Sequence, residues 1–346
     1  MIKIDGLTTE NVNEATKHID QMDSLGIVTL INEEDKKVAS AVEAELPVIA
    51  RAVDAIAERF SAGGRIIYCG AGTSGRMGTL DSVELLPTYS VTPDRVLSLL
   101  AGGEKAMYRA VEGAEDSREL AIEDLTKVNL TEKDCVIGIA ASGRTPYTLA
   151  ALEYANDHQA LSISITCNRD SEMAAVAQIS IAPVVGPEVI SGSTRMKAGT
   201  AQKMIANMIS TAVMVRLGKV YQNYMVHVQP TNEKLVVRAC RMISQITGAD
   251  MDTAGEKLRE AGMKVPEAIV MLQAECSMSE AADALEKTSG RVREAVESLK
   301  RNSGNVREAV ESLKRNSDNV REAVESPKKS SGNLQEAAEA AEDRNA

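Results

Sequence analysis

The chain has 346 residues, of which 44% are hydrophobic, so it is long enough for a globular α/β domain with appendages. One Phe, no Trp and seven Tyr leave few rings on which single-stranded nucleic acid could stack. The formal net charge of −11 argues against nucleic acid and anionic membranes as partners, although a small anion can still bind where local N–H groups and basic side chains face it.

The cysteines and the start of the chain indicate the compartment. The five cysteines are odd in number and never occur at C-x-x-C spacing, so the sequence predicts neither a disulfide framework nor a zinc site. The first residues do not resemble a signal peptide, and no apolar run approaches the ~18 residues of a membrane span. We therefore expect a cytoplasmic protein without a bound metal.

The chain begins with a helical region that extends to about residue 60. Val38, Val42, Leu46, Ile49 and Val53 recur there at spacings of three and four, which is typical of a helix packed on a core. After this region, short β-rich runs alternate with helical stretches. The predicted strands are 65–69, 95–100, 135–140, 161–166 and 178–183. This alternation predicts an α/β fold with a parallel sheet sandwiched by helices.

A long apolar run follows the last predicted strand, from Arg195 to about Val220. Its methionines and aliphatic residues cover a wide arc of a helix, which indicates burial in the core or at a dimer interface. Beyond residue 249 the pattern changes to short amphipathic helices, which predict a small helical domain.

A glycine-rich loop follows the first strand, where Ile66–Cys69 runs into Gly70-Ala71-Gly72-Thr73-Ser74-Gly75-Arg76. A turn of this kind into a helix leaves unpaired backbone N–H groups that can bind an anion. The glycines also match the dinucleotide pattern G-x-G-x-x-G, but the second strand ends in Ala101-Gly102-Gly103 and lacks the acidic residue that binds a ribose. Hydroxyls at Thr73 and Ser74 favour a phosphate monoester instead, because each adds a donor.

Two further hydroxyl-rich loops repeat this arrangement. The third predicted strand is followed by Ser142-Gly143-Arg144-Thr145-Pro146, and Ser191-Gly192-Ser193-Thr194 precedes the long apolar helix. Three such loops at the carboxyl edge of one sheet could bind a single ligand. The alternative is that their Ser and Thr side chains only cap helix N-termini.

Two carboxylates are candidates for acid–base chemistry. Glu84 lies near the end of the helix that begins at Ser74 and ends near Pro87. The negative end of the helix dipole favours its protonated form there, which suits a general acid. Glu115 belongs to the acidic run Glu112-Gly113-Ala114-Glu115-Asp116, in which crowded charges favour protonation of at least one member. The alternative for both is an ordinary solvated glutamate.

At these residues the sequence resembles the N-acetylmuramic acid 6-phosphate etherases, members of the sugar isomerase (SIS) family that are related to glucokinase regulatory protein. The resemblance extends from about Leu7 to about Val296 and is carried by five segments in order. The segments are Gly70–Arg76, Ala101–Glu104, Val111–Ser117, Ala140–Tyr147 and Gly186–Thr200.

The resemblance implies a cytoplasmic, cofactor-free lyase of cell-wall recycling. Such an enzyme splits the 3-O-lactyl ether of N-acetylmuramic acid 6-phosphate and gives N-acetylglucosamine 6-phosphate and D-lactate. By the same resemblance, Glu84 is the proton donor, Glu115 is the second catalytic carboxylate, and the active sites are completed across the subunit boundary of a homodimer. The implied substrate-binding residues are Thr73, Ser74, Gly75, Arg76, Ser142, Gly143, Arg144, Thr145, Glu188, Ser191, Ser193, Thr194 and Lys197.

The chain departs from the family at two points. Leu85-Leu86-Pro87 stands where the family usually has Cys-Pro-Pro after the donor glutamate, and His227 stands where it usually has an acidic residue. The competing function is a non-catalytic sugar-phosphate-binding regulatory protein on the same fold, and a nucleotide-dependent oxidoreductase rests only on the glycine pattern. The presence of both carboxylates favours the enzyme.

A 14-residue unit repeats at the end of the chain, as Ser289–Asn302, Ser303–Asn316 and Ser317–Ser330, with a degraded copy from Ser331. Each unit ends in an Asn-Ser-Gly break or its variant, which predicts a partly helical, mobile extension, with a partner-binding arm as the alternative.

The predicted domains are an N-terminal helical segment (1–60), an SIS sugar-phosphate-binding domain (61–247), a small UBA-like helical domain (248–300) and the repetitive tail (301–346).

Overall fold

A computed structural model describes residues 7–303 of the chain. The predicted α/β fold is confirmed, and each strand lies within one residue or two of its predicted run. The strands are β1 (Ile66–Gly70), β2 (Val96–Leu100), β3 (Cys135–Ile139), β4 (Leu161–Ile165) and β5 (Ile179–Ile181). All of them pair in parallel, in the order β2-β1-β3-β4-β5.

Helices cover both faces of this sheet. The helices of the body are α1 (Ser24–Glu43), α2 (Leu46–Ser61), α3 (Gly72–Tyr89), α4 (Lys105–Tyr108), α5 (Arg118–Lys127), α6 (Pro146–Asp157), α7 (Glu172–Val176) and α8 (Lys197–Arg216). One core lies between the sheet and α1, α2, α3 and α8, and a second lies between the sheet and α5, α6 and α7. Every residue of β1, β3 and β4 is buried, because strands covered on both faces have apolar residues throughout.

The C-terminal helices build a third core of their own. They are α9 (Glu233–Thr247), α10 (Met251–Glu260), α11 (Val265–Ala274), α12 (Met278–Lys287) and a helix at 292–303. This core begins at Tyr221 and includes residues of α9, so the predicted domain boundary after residue 247 passes through it. Val292, Ala295 and Val296 of the first 14-residue unit are buried in it. The later units lie outside the described residues.

Two sequence predictions differ from the structure in detail. Leu46, expected on the core face of one helix, is 44% exposed, because the chain turns at Glu45 and Leu46 begins a new helix. Helix α3 begins at Gly72 rather than Ser74 and continues through Pro87 to Tyr89. Burial of Leu85 and Tyr89 holds this last turn in place despite the proline.

Among residues 7–303, no helix combines the length and hydropathy needed to cross a bilayer.

Candidate active site

The order of the strands determines where a ligand can bind. β1 has β2 on one side and β3 on the other, so the connections that leave β1 and β3 diverge at their carboxyl ends. Ligands of doubly wound sheets bind in the crevice at such a switch point. The first two hydroxyl loops follow β1 and β3, and they are therefore neighbours.

The first loop lies at the start of α3. An added Cβ at Gly75 would lie 2.5 Å from the carbonyl oxygen of Gly70, so only glycine lets α3 approach β1 so closely. The N-cap residue Ala71 has no capping side chain. Within residues 7–303, the hydroxyls of Thr73 and Ser74 have no hydrogen-bond partner. The loop therefore presents free donors at the positive end of a helix.

The second loop lies at the start of α6. Gly143 is buried with a φ of 70°, and an added Cβ there would lie 2.4 Å from Ser171, so the turn requires glycine. The Arg144 N–H donates to the Ser142 hydroxyl at 3.3 Å. Thr145 is the N-cap residue of α6, but its side chain makes no capping hydrogen bond. Simple helix capping therefore does not explain the hydroxyls of the first two loops.

The third loop meets the first at the start of α8. The Gly199 N–H donates to the Thr194 carbonyl at 3.0 Å, and an added Cβ at Gly199 would lie 3.4 Å from the methyl carbon of Thr73. Ser193 and Thr194 are half-buried and Ser191 is exposed. No described residue hydrogen-bonds to the side-chain hydroxyls of these three residues. The structure thus brings the three loops to one edge of the sheet.

Glu188 and Lys197 are buried beneath this edge. The Glu188 carboxylate accepts the N–H groups of Lys197 (2.9 Å) and Ala198 (3.0 Å), so it caps α8. The Lys197 Nζ donates to Glu34 at 2.7 Å. Burial raises the pKa of Glu34, but hydrogen bonds from Lys197 and Lys37 outweigh this effect and lower it overall. Both predicted ligand residues are thus engaged within the chain, where they fix the start of α8.

Arg76, a predicted substrate-binding residue, makes hydrogen bonds within the chain. Its guanidinium donates to the carbonyl oxygens of Ala106 (2.7 Å) and Met107 (3.1 Å) rather than pointing to the free hydroxyls. These bonds hold the short helix α4 against α3. The long side chain reaches backbone that lies thirty residues further along the chain, and no sequence pattern indicates that contact.

Glu115 lies beside the first loop. It lines a cavity of about 240 Å³ together with Gly72, Arg76 and Arg109. Its backbone carbonyl accepts the Tyr147 N–H at 3.0 Å, which ties the acidic run to the start of α6. The Glu115 carboxylate is exposed. Arg109, which no sequence motif indicates, adds a cation to the same cavity.

Glu84 lies far from these groups within one chain. It is exposed near the end of α3, and twelve residues separate it from Gly72. At 1.5 Å per residue, the axis of α3 rises about 18 Å between them. The two predicted catalytic carboxylates are therefore not adjacent within one chain, because Glu115 lies at the Gly72 end.

Two buried polar residues near the site were also not predicted. The Asp81 carboxylate on α3 accepts hydrogen bonds from Tyr68 (2.8 Å), Asn207 (2.6 Å) and Ser210 (2.9 Å), and burial raises its pKa. Gln202 lies one turn after Gly199 on α8, and neither atom of its buried amide has a partner among the described residues. A buried polar group without a partner is rare in proteins and often marks a functional site.

Known proteins resemble this chain in sequence and in fold. Family models for the glucokinase regulatory protein N-terminal SIS domain and for the SIS domain match residues 48–156 and 116–212. The chain is 59% identical to N-acetylmuramic acid 6-phosphate etherase 1 of Enterococcus faecalis over 291 residues, which are 84% of this chain and 97% of that protein. It is 54% identical to the N-acetylmuramic acid 6-phosphate etherase of Lactobacillus johnsonii, over 84% of this chain and 98% of that protein. A solved structure of a phosphoheptose isomerase from Francisella tularensis is 20% identical, with a TM-score of 0.43 and coverage of 56% of this chain and 98% of that one.

Proposed function

Because the chain belongs to the N-acetylmuramic acid 6-phosphate etherase family, we propose that it is a carbon–oxygen lyase that removes D-lactate from N-acetylmuramic acid 6-phosphate. The observation that carries this proposal is 59% identity across 97% of a relative that bears this name. The alternative, a non-catalytic sugar-phosphate-binding regulatory protein, is not favoured, because Glu84 and Glu115 are both present on the surface of the molecule.

The reaction that we propose is an elimination followed by hydration. Opening of the sugar ring exposes an aldehyde, which acidifies the proton at C2. One carboxylate removes this proton, the C2–C3 double bond forms, and the C3–O bond breaks. The second carboxylate protonates the departing ether oxygen, so that lactate leaves as a neutral alcohol at that oxygen. Water then adds across the double bond and gives N-acetylglucosamine 6-phosphate.

The free donors of the loops support phosphate binding at the switch point. Thr73 and Ser74 lie at the N-terminus of α3, where the dipole favours an anion. Thr194 lies near the same place, because its carbonyl accepts the N–H of Gly199, which is close to Thr73. We assign the sugar to the neighbouring space between these hydroxyls and Glu115, with Ser142 and Thr145 at its border.

The distance between the carboxylates leads us to propose a homodimer. Glu84 is about 18 Å from the start of α3 along the helix axis, so a second copy has to supply it if both carboxylates act on one substrate. An apolar groove of about 890 Å³ lies between α2 and α8, and an exposed apolar surface of this kind favours association. Asn207 lines this groove and bonds to Asp81, which lies one turn before Glu84.

We also propose that the reaction occurs in the cytoplasm, as a step in the recycling of cell-wall sugars. The phosphate and the lactyl carboxylate are charged at neutral pH, and transfer of such groups into a bilayer is very costly. A substrate with two charged groups is therefore consumed in the compartment where it is made.

Lactate release tests the proposed function. Purified protein is incubated with N-acetylmuramic acid 6-phosphate without added metal or nucleotide, and lactate is measured. We expect stoichiometric lactate and N-acetylglucosamine 6-phosphate. Ser142→Ala should raise KM more than it lowers kcat, because the hydroxyl binds and does not react. Substrate binding without lactate release would instead support the regulatory protein.

A further inference from the structure

A second polar cavity lies at the opposite edge of the sheet from the candidate active site. It has a volume of about 430 Å³ and lies between the end of α2, the residues before β2, the residues after α8 and the C-terminal helices. Three of its lining residues are cations, namely Arg95, Lys219 and Arg291. Hydroxyls of Ser61, Ser90, Thr92 and Ser289 complete its polar lining, and no described Asp or Glu lines it.

Arg95 is held rigidly in this cavity. Its guanidinium donates to the carbonyl oxygens of Phe60 (2.8 Å) and Gly64 (2.9 Å) and lies 4.1 Å above the Phe60 ring. Its Nε is buried and has no partner among the described residues. The charge is therefore fixed in position, and its buried Nε–H donor is not used by any described residue.

Lys219 has no counter-charge within the part of the chain that the structure describes. It is half-buried, and among residues 7–303 its ammonium group makes no hydrogen bond or ion pair. Burial and the nearby Arg95 lower the pKa of Lys219. Two carboxylates outside the lining interact with cations of the cluster: Asp94 is exposed and interacts electrostatically with Arg95, and the Glu294 carboxylate lies 3.6 Å from the Nε of Arg291.

His227 lies next to this cluster. Its carbonyl accepts the Ser90 hydroxyl, and its ring packs against Gly290. Burial, with a smaller contribution from Lys219, lowers the pKa of His227 to about 4, so the ring is neutral at pH 7. The residue at this position therefore supplies no negative charge to Lys219.

We propose that this cavity is an anion site that binds the phosphate group of a small molecule between the body and the C-terminal helices. Three cations that no described Asp or Glu accompanies in the lining, with the unpaired hydroxyls of Ser61 and Ser289 beside them, suit a phosphate anion in sign of charge and in hydrogen bonding. The volume exceeds that of inorganic phosphate, so a phosphorylated sugar also fits. Bound there, the anion joins Arg95 and Lys219 of the body to Arg291, which directly precedes the helix at 292–303.

Hydrogen exchange of the full-length protein tests this proposal without relying on the lactate assay. The probes are inorganic phosphate and N-acetylglucosamine 6-phosphate, each compared with chloride at the same ionic strength. At ten times its dissociation constant, a ligand of the closed state lowers the open population about tenfold. We expect exchange to slow by that factor at residues 217–221 and 288–292.

Three variants make the assignment specific. Lys219→Met removes one cation at similar length, and His227→Asp places a carboxylate beside Lys219 that competes with the ligand; both should abolish the protection at these two segments. Lys127→Met, an exposed lysine on α5, should retain it. Protection by both probes, or by the sugar phosphate alone, supports the site and identifies which form it binds. The proposal is overturned if neither probe exceeds chloride, or if both cavity variants keep full protection.

Discussion

Asn207 of α8 donates a hydrogen bond of 2.6 Å to the buried carboxylate of Asp81 in the middle of α3. Tyr68 of β1 and Ser210 of α8 donate to the same carboxylate. Helix α3 carries the first hydroxyl loop at its start and Glu84 near its end, whereas α8 contacts that loop through Gly199. Asp81 therefore fixes the relative position of the two helices that build the proposed site.

Asp81→Asn should destabilise the protein by about 2–4 kcal/mol, because an uncharged amide has only one acceptor oxygen for the three groups that donate to the carboxylate. The double variant Asp81→Asn/Asn207→Asp restores a donor and an acceptor across the same gap. We expect urea unfolding to show that it regains at least half of the lost free energy. A double variant that is no more stable than Asp81→Asn would show that the hydrogen bond is not the source of the effect.

Gln202 carries an unpaired buried amide, so Gln202→Met should raise the free energy of unfolding by about 1–2 kcal/mol. We expect the same variant to lower kcat/KM about tenfold, because a costly polar group next to Gly199 is retained for function. Thr148→Val is the matched control: its buried hydroxyl also lacks a partner among the described residues, and this variant should gain stability without losing activity. Full activity in Gln202→Met would show that the Gln202 amide has no role in the active site.

His227 should make the protein sensitive to acid. Because its pKa in the folded protein is about 4, below the usual 6.5, the unfolded chain binds a proton first as the pH falls. The contribution of the neutral ring to the free energy of unfolding is complete above pH ~6.5 and is lost progressively as the pH falls to about 4. Between pH 7 and pH 4.5, urea unfolding should show the wild type losing about 2–3 kcal/mol more than His227→Gln. Equal losses would show that burial of the His227 ring does not cause the loss of stability in acid.

A chain that stops after Lys300 should keep its activity and its melting temperature. The described residues of the first 14-residue unit that enter the third core are then all present, including Val292, Ala295 and Val296. Later units carry only a few apolar residues each, and isolated helices of ~10 residues are marginal in water. A melting temperature lower by several degrees would show that the later units dock on the body.

The second unit should be able to replace the first. Ser303–Asn316 repeats Ser289–Asn302 with one change, Arg291 to Asn305. Deletion of residues 289–302 joins Thr288 to the second unit and should preserve the fold, although it removes the contacts of Arg291 with Arg216 and Glu294 and one cation of the anion cavity. A chain stopped after Thr288 should lose at least about 3 kcal/mol, because the core loses two buried valines. If the deletion variant is as unstable as this short chain, the units are not interchangeable.

The strands of the sheet could be predicted from the sequence, but the partners of several charged side chains could not. Strands buried on both faces are continuous apolar runs, so β1 and β3 could be located within a residue, and the hydroxyl loops after them followed. The partners of Arg76, Glu188 and Lys197 could not be predicted, because they are backbone groups or residues distant in sequence. The separation of Glu84 from Glu115 required the length and direction of α3.

In the proposed mechanism, one catalytic site uses Glu84 of one copy and Glu115 of another. Glu84→Gln and Glu115→Gln are each expected to lose at least ~10²-fold in lactate release, since general acid–base groups contribute ~10²–10⁴-fold. A variant with more than about a third of normal activity would remove that residue from the mechanism.

Mixing the two inactive variants is the most direct test. The variants are co-expressed with different tags, and lactate release from N-acetylmuramic acid 6-phosphate is measured on the purified mixture. Random pairing makes half of the dimers mixed, and each mixed dimer has one intact site, so about a quarter of wild-type activity should return. A mixture as inactive as its parents would contradict a site shared between two copies.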